Sequence, residues 1–380
     1  MAINDLSVLL RMFKRQKLLI IGAGCSQNYA QGESNIDGLV SPLDTNFFKM
    51  ARKVLLNTNL ERSFSVMIEE MVHQLHKLYG YDAFEFQDWI NTADASKFLE
   101  VLEDNRLSLE KVMTQLILEN EVFQRMPPLN DYYQAKNRAI DFDDSPFALI
   151  ELVALTISKA LQGPVCSEHI KLANSLSQGD AVISFNYDIL MDNALRETEK
   201  LTDCGYLVPF QRVSDGQTWR RADEEPSDIT LLKLHGSLNW LHCSYCNSTF
   251  LNRFEKINPE YSSFPKNCPN CGESNAYFQR VIVPPFLAKD YSLQPMKYLW
   301  GQANRYVSKA REIVIIGYSF PPTDFATEAL LRDSLPWSSQ RQTRFTVVNP
   351  DKEVYERFRR VFNSSIVEWK GSLKEYLDSV

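Results

Sequence analysis

Four cysteines carry the plainest chemistry in the chain. Cys243-x-x-Cys246 and Cys268-x-x-Cys271 are two knuckles separated by 21 residues. Each knuckle offers two thiolates to one tetrahedral ion, and the spacing is close to the Cys-x2-Cys-x15–20-Cys-x2-Cys zinc pattern. Gly272 suits the turn after the second knuckle. Four sulfurs leave no open coordination position, so the expected zinc is structural. Two unrelated thiol pairs are the competing account, and His242, beside the first knuckle, is a fallback ligand only.

The other candidates sit at the ends of short apolar runs. Gly22-Ala23-Gly24-Cys25-Ser26 follows one such run. A glycine pair there lets the backbone turn tightly and approach a pyrophosphate, while a following helix N-terminus offers unpaired N–H groups. Gln27 leaves the G-x-G-x-x-G fingerprint incomplete, so a tight strand-to-helix turn competes evenly with a nucleotide site. Cys25 reads as a small buried filler in preference to a nucleophile. Asn186 and Asp188, two apart at another strand end, face one cleft; Asp188 serves equally as the N-cap of the helix that follows. His235, at a strand end beside Gly236, stands out among five histidines. His73, His76 and His169 lie in helix-like runs and read as ordinary surface or packing residues. Gly317-Tyr318-Ser319 and Val348-Asn349 end two further runs, as plain loop exits or as contacts to a nucleotide's phosphates and ribose.

These tips need strands to hold them. Buried parallel strands are expected within 17–24, 181–188, 229–237, 280–286, 312–320, 344–351 and 365–371, from β-branched runs that end in small or polar residues. Ligands gather beyond the carboxyl ends of such strands, so the tips form the expected site. From 41 to 178 the strand signal vanishes. Helix-like patterns take over, including one long run over 96–125 and another over 146–162, punctuated by Pro127-Pro128 and Pro146. The polar stretch 202–228 reads as a surface excursion.

Composition bounds the rest. The chain has 380 residues, 44% of them hydrophobic, with 6 Trp, 16 Tyr and 22 Phe to fill a core. Disorder and a fibrous fold are excluded. A net charge of −7 argues against a nonspecific nucleic-acid coat, and the sequence gives no direct evidence of nucleic-acid binding. No run reaches the roughly 18 apolar residues of a membrane span, and the N-terminus does not read as a secretion signal. Seven cysteines, four of them in knuckles, fit a reducing cytoplasm. The 14 glycines are about half the usual share, so a glycine is expected mainly where geometry demands one.

The order of the motifs resembles the sirtuin family, from about Lys17 to Trp369. GAGCS is similar to its GAG-x-S phosphate loop, and FNYD to its QN-x-D segment with phenylalanine in place of glutamine. KLHGS is similar to the His-Gly strand, CSYC…CPNC to the zinc module, and IGYS to the GTS-type loop. The strand and helix patterns read as an α/β domain interrupted by a helical insertion lobe at 41–178, the part least similar to the family, and the resemblance makes 1–40 and 179–380 a Rossmann-like parallel sheet with a small zinc-ribbon module at 241–279. It implies NAD as substrate, with Gly22, Ala23, Gly24 and Ser26 at the pyrophosphate, and Asn186 and Asp188 at the nicotinamide ribose and carboxamide. His235 is then the general base, Gly317 and Ser319 line the phosphate and adenosine-ribose side, and Asn349 meets the adenosine ribose.

The resemblance also has gaps. The Gly-Ile-Pro-Asp-Phe-Arg loop of protein-deacylating sirtuins has no counterpart in QNYAQGESNIDGLVSPLDTNFF, and VIVPPF replaces the Val-x-Phe-Gly-Glu run. The pattern is similar to divergent bacterial sirtuin-like proteins that hydrolyse NAD, many of them antiphage effectors. That implies a cytoplasmic NAD hydrolase that forms a homo-oligomer and answers to an activating partner such as a ring-shaped ATPase. A protein deacylase or ADP-ribosyltransferase, and a non-enzymatic NAD or ADP-ribose sensor, are the alternatives.

Overall fold

A computed structural model describes residues 16–31, 36–60, 62–81, 95–123, 145–161, 163–215, 218–253, 265, 267–273, 278–285, 295–321, 323–335, 343–362 and 367–380. Among these residues the strands are β1 (Lys17–Ile21), β2 (Ala181–Ser184), β3 (Arg212–Ser214), β4 (Trp219–Arg220), β5 (Thr230–Lys233), β6 (Gly236–Cys243), β7 (Thr249–Asn252), β8 (Phe278–Ile282), β9 (Glu312–Ile316), β10 (Arg344–Val348) and β11 (Val367–Lys370). Six of them form one parallel sheet in the order β11-β10-β9-β1-β2-β5. Leu18, Leu19, Ile20 and Ile21 are all buried, as are Ile313 to Ile316. Strands covered on both faces need such continuous apolar runs, which is why period-two alternation is missing from them.

Register makes this sheet a platform. Ile21 lies opposite Ser184 on one side and Ile316 on the other; Ser184 lies opposite Lys233, and Ile316 opposite Val348. The strands therefore end at one level, and the residues just beyond them share a rim. From β1 the chain builds outward through β2 and β5, and from β9 it builds the other way through β10 and β11. The crevice between β1 and β9 is the reversal point, where open α/β sheets take ligands.

A second sheet has the order β4-β3-β7-β6-β8, antiparallel except for β3 beside β7. It corrects three expectations. The single strand expected over 229–237 is two, because the chain leaves one sheet at Lys233 and enters the other at Gly236. The run 280–286 supplies β8, which pairs antiparallel with β6 and does not join the parallel sheet; a short β-branched run carries no mark of its partner's direction. The polar stretch 202–228 is no mere excursion, since it provides β3 and β4. Its charges are internal partners: buried Asp203 accepts from Arg253 Nε at 2.8 Å and from Arg220 at 3.2 Å.

Helices Phe47–Leu56, Arg62–Tyr79, Leu109–Phe123 and Ser145–Ala160 fall within 41–178, where the described residues form no strand. The run expected over 96–125 breaks into Ala95–Phe98, a 3-10 turn Leu99–Glu103, and the helix from Leu109. Asp104 causes the break: its carboxylate accepts from Arg106 N at 2.8 Å and from Arg106 Nε at 2.9 Å, a local turn that competes with helix. Pro127-Pro128 lies outside the described residues. The buried apolar side chains of these helices form a cluster spanning Leu39 to Ala160, separate from the cluster around the parallel sheet. The Ser145–Ala160 helix reaches beyond its cluster. Its buried Glu151 accepts from Arg280 Nε of β8 at 3.0 and 3.2 Å, and Arg280 also donates to Leu238 O at 2.8 Å. A charge this deep is tolerable only when paired.

Glycine substitutions should separate strain from crowding. Gly80 (φ +76) has open space around a Cβ, whereas at Gly317 (φ +61) a Cβ would lie 2.1 Å from Cys25 N. Gly80→Ala should cost about 1 kcal/mol and Gly317→Ala about 3 kcal/mol or more, measured by urea unfolding.

Candidate functional site

The floor of the crevice is backbone. Gly22 N donates to Ile316 O at 3.0 Å, Gly24 N to Gly317 O at 2.8 Å, and Cys25 N to Gly22 O at 2.9 Å. A Cβ on Gly24 would sit 2.9 Å from Gly317 Cα. The two loops meet without side chains between them, so a ligand above can approach main chain directly. The expected α-helix after the glycine pair is instead a 3-10 segment, Ala23–Gln31. Its first donors are partly spent, because Gly24 and Cys25 already bond to Gly317 and Gly22. Ala23 and Ser319 are exposed, and Gly24 and Gly317 half-buried.

Next to this floor the tip of β2 is fixed by hydrogen bonds. Ser26 Oγ donates to Asp188 Oδ2 at 2.9 Å and accepts from Asn186 Nδ2 at 3.3 Å. The N-cap of the helix Leu190–Glu197 is Ile189 and not Asp188, but Asp188 Oδ1 accepts from Leu190 N at 3.0 Å, so one carboxylate ties the turn into that helix to Ser26. Asn186 Oδ1 is buried with no hydrogen-bond partner. A buried acceptor left open is costly, and a bound hydroxyl would satisfy it. Beneath lies Lys233, wholly buried, which donates to the carbonyl of Asp188 and to Asp192 Oδ2 at 3.0 Å. Asp192 in turn accepts from the Tyr206 hydroxyl at 2.8 Å. Burial pushes the Tyr206 phenol well up, so it stays a donor.

His235 occupies the crossing from β5 to β6. Gly236 (φ +79) makes that crossing possible, since a Cβ there would fall 1.9 Å from Val281 O. Val283 N donates to His235 O at 2.9 Å, and the Tyr187 hydroxyl to Val283 O at 2.8 Å. The imidazole packs on Phe185, 5.0 Å between centroids, and Phe185 stacks on Tyr318 at 4.4 Å. His235 Nε2 lies 3.8 Å from Asp324 Oδ2, an oxygen that accepts the Tyr318 hydroxyl. The loop carrying Tyr318 and Asp324 holds a second positive φ at Phe320 (φ 50), a conformation that bulky residues adopt only when their surroundings hold them there. Phe320 stacks on Phe358 at 4.7 Å.

The glycine turn, Ser26, Asn186, Asp188 and Gly317 are thus joined, with His235 reached through Phe185. Asn349 sits at the rim beyond β10, with Oδ1 accepting from Asp351 N at 2.9 Å and Nδ2 directed to Tyr318 O at 3.5 Å. Cys25 is buried, as read, and has company. Its Sγ lies 3.7 Å from His169 Nε2, and His169 Nδ1 lies 3.0 Å from Cys166 Sγ. Burial, then the Asp188 charge, pushes the Cys25 thiol well above its ordinary value, which suits a filler and not a nucleophile.

The sulfur ligand atoms of Cys243, Cys246, Cys268 and Cys271 all lie within 4.8 Å of one another, with Cys246 and Cys268 3.7 Å apart. A tetrahedral zinc with Zn–S of about 2.3 Å wants sulfurs roughly 3.8 Å apart, so the set fits the ion. Asn247 (φ 55) and Gly272 (φ 76) each follow the second cysteine of a knuckle in the same left-handed conformation. Cys243 ends β6, seven residues beyond Gly236, so the four cysteines lie at the opposite end of that strand from His235.

The sequence model of the SIR2-like domain matches residues 180–369, half of the chain. The chain belongs to that family. No curated protein sequence matches it. Among solved structures, a Sir2 homologue in complex with NAD is 17% identical, with 99% of this chain and 92% of that one covered and a TM-score of 0.43. A sirtuin structure concerned with substrate affinity is 13% identical, covering 100% and 96%, with a TM-score of 0.38. Within this SIR2-like chain, reading along the sequence missed Tyr318, Asp324, Lys233 and Asp192. Asp324 precedes a helix and so reads as a cap; a lysine and an aspartate 41 residues apart carry no local sign that they pair.

Metal analysis of freshly purified protein should find about one zinc per chain, and Cys268→Ser should remove it and lower the melting temperature. A second expectation concerns pH. Burial above all holds the His169 imidazole below its ordinary pKa, so as pH falls through about 6.5 the unfolded chain takes the proton first and stability is lost. Below that pH His169 should contribute up to about 1.4 kcal/mol of loss per pH unit. Unfolding free energies at several pH values should show a shallower slope for His169→Asn.

Proposed function

We propose that the protein hydrolyses NAD to nicotinamide and ADP-ribose. The observation that carries this reading is the open, buried Asn186 Oδ1, set between a side-chain-free crevice floor and a histidine at the crossing from β5 to β6. Gly22, Ala23, Gly24 and Ser26 lie where a pyrophosphate would cross the crevice, with Gly317, Ser319 and Asn349 on the adenosine side. Asn186 accepts from a hydroxyl of the nicotinamide ribose, and Asp188 orients the carboxamide. The C1′–N bond breaks with its electron pair going to nicotinamide, which leaves neutral and needs no acid. Water forms the new C1′–O bond, and His235 takes the proton released from the water or a ribose hydroxyl.

The missing deacylase loop supports water over a peptide acceptor. Retention of the four-cysteine module favours the second reading, a protein deacylase or ADP-ribosyltransferase. The resemblance to NAD-depleting effectors makes antiphage defence, with self-assembly and a ring-shaped ATPase as activator, the proposed setting.

Purified protein incubated with NAD should release nicotinamide and ADP-ribose without any acetylated peptide. Strict dependence on a peptide pool would overturn hydrolysis. Asn186→Ala and His235→Ala should each lower turnover by at least about 100-fold with an unchanged melting temperature; full activity in His235→Ala would remove the base assignment.

A further inference from the structure

The helix Phe325–Asp333 begins at Asp324, and aspartate at that position ordinarily accepts from the first free N–H groups of its helix. Other helix starts among the described residues do so. Asp351 Oδ1 accepts from Glu353 N at 2.8 Å, and Ser372 Oγ from Glu375 N at 3.1 Å. Asp324 makes no such cap. Its carboxylate is 1% exposed and turns back toward the site, taking the Tyr318 hydroxyl on the oxygen that faces His235 Nε2 at 3.8 Å. A buried carboxylate that forgoes the nearest donors must be held by something else. Here the Phe185–Tyr318 stack and the left-handed Phe320 shape the loop that aims it.

We propose that Asp324 is a positioning residue for His235. Its negative charge keeps a proton on Nε2, the ring nitrogen it faces, and so places the lone pair on Nδ1. When Nδ1 takes a proton from water or a ribose hydroxyl, an O–H bond breaks, an N–H bond forms, and the carboxylate stabilises the resulting imidazolium without taking a proton itself. Tyr318 fixes the carboxylate by hydrogen bonding from behind. Among the described residues, the titratable groups set against the ring include Asp324 and, one step back, Tyr318, both from the loop after β9, and Tyr187 from the loop after β2, whose ring centroid is 6.3 Å from the imidazole. This inference rests on His235 as the base of the proposed hydrolysis, so its test is made first without NAD.

The test is nitrogen-15 NMR of histidine-labelled protein, with the His235 signals assigned through His235→Gln. The full chain should show His235 mainly as the Nε2–H tautomer. In Asp324→Asn that preference should weaken, and the midpoint of the His235 titration should fall by about one unit; Asp324→Glu should restore part of both. Should the Asn variant not fold, Asp324→Ser is measured in its place, with the same shift expected. An unchanged tautomer and midpoint in the folded variant would overturn the inference whether or not NAD is turned over. With NAD, Asp324→Asn should lower kcat about 10-fold or more at an unchanged KM. A loss confined to KM would overturn it too.

Discussion

The site depends on two loops meeting where neither has a side chain. β1 and β9 end in register, and the turns that leave them touch through Gly22, Gly24 and Gly317. Any Cβ at these positions would strike backbone, so the crevice floor exists only while all three stay glycine. Such economy suits a chain with 14 glycines, of which only Gly80 and Gly163 fall between 41 and 178. The low count is the mark of a long helical region, while Gly22, Gly24, Gly236 and Gly317 stand where main chain approaches main chain.

Everything above that floor is held from below by buried polar groups with defined partners. Lys233 ties β5 to the carbonyl of Asp188 and to Asp192, so the strand that leads to His235 and the turn that carries Asn186 move together. On the far side of His235, Arg280 of β8 is clamped by Glu151 from the helical region, three residues before Val283 donates to the His235 carbonyl. Charges at such depth contribute little net stability relative to apolar pairs, but breaking one leaves its partner stranded at a cost of about 3–5 kcal/mol. They make the arrangement all-or-none, which suits a site whose groups act by orientation.

Local sequence exposed the parts of this design that are local. The parallel strands announce themselves by apolar runs, and the glycine turn, Asn186, Asp188, His235 and the four cysteines by residue type at a strand end or by spacing. What stayed hidden are the consequences of pairing at a distance. The run 229–237 reads as one strand because nothing within it shows that Gly236 must pass within a backbone's width of Val281. Val281 itself sits in a run read as parallel, since the partner that makes β8 antiparallel lies some 40 residues upstream. His169 reads as an ordinary packing residue, and only the fold sets it between Cys25 and Cys166. Asp324 is the sharpest case: a cap by position, a site residue by orientation.

On the proposed function, the crevice at the tips of β1, β2, β5 and β9 takes a dinucleotide. ADP-ribose carries the pyrophosphate but not the bond to be broken, so amide chemical-shift mapping with it is the sharpest test. Shifts should centre on Gly22 to Ser26, Asn186, His235 and Gly317 to Ser319, and Gly24→Val should abolish them in a folded protein. Shifts centred elsewhere, or binding that survives Gly24→Val, would contradict it.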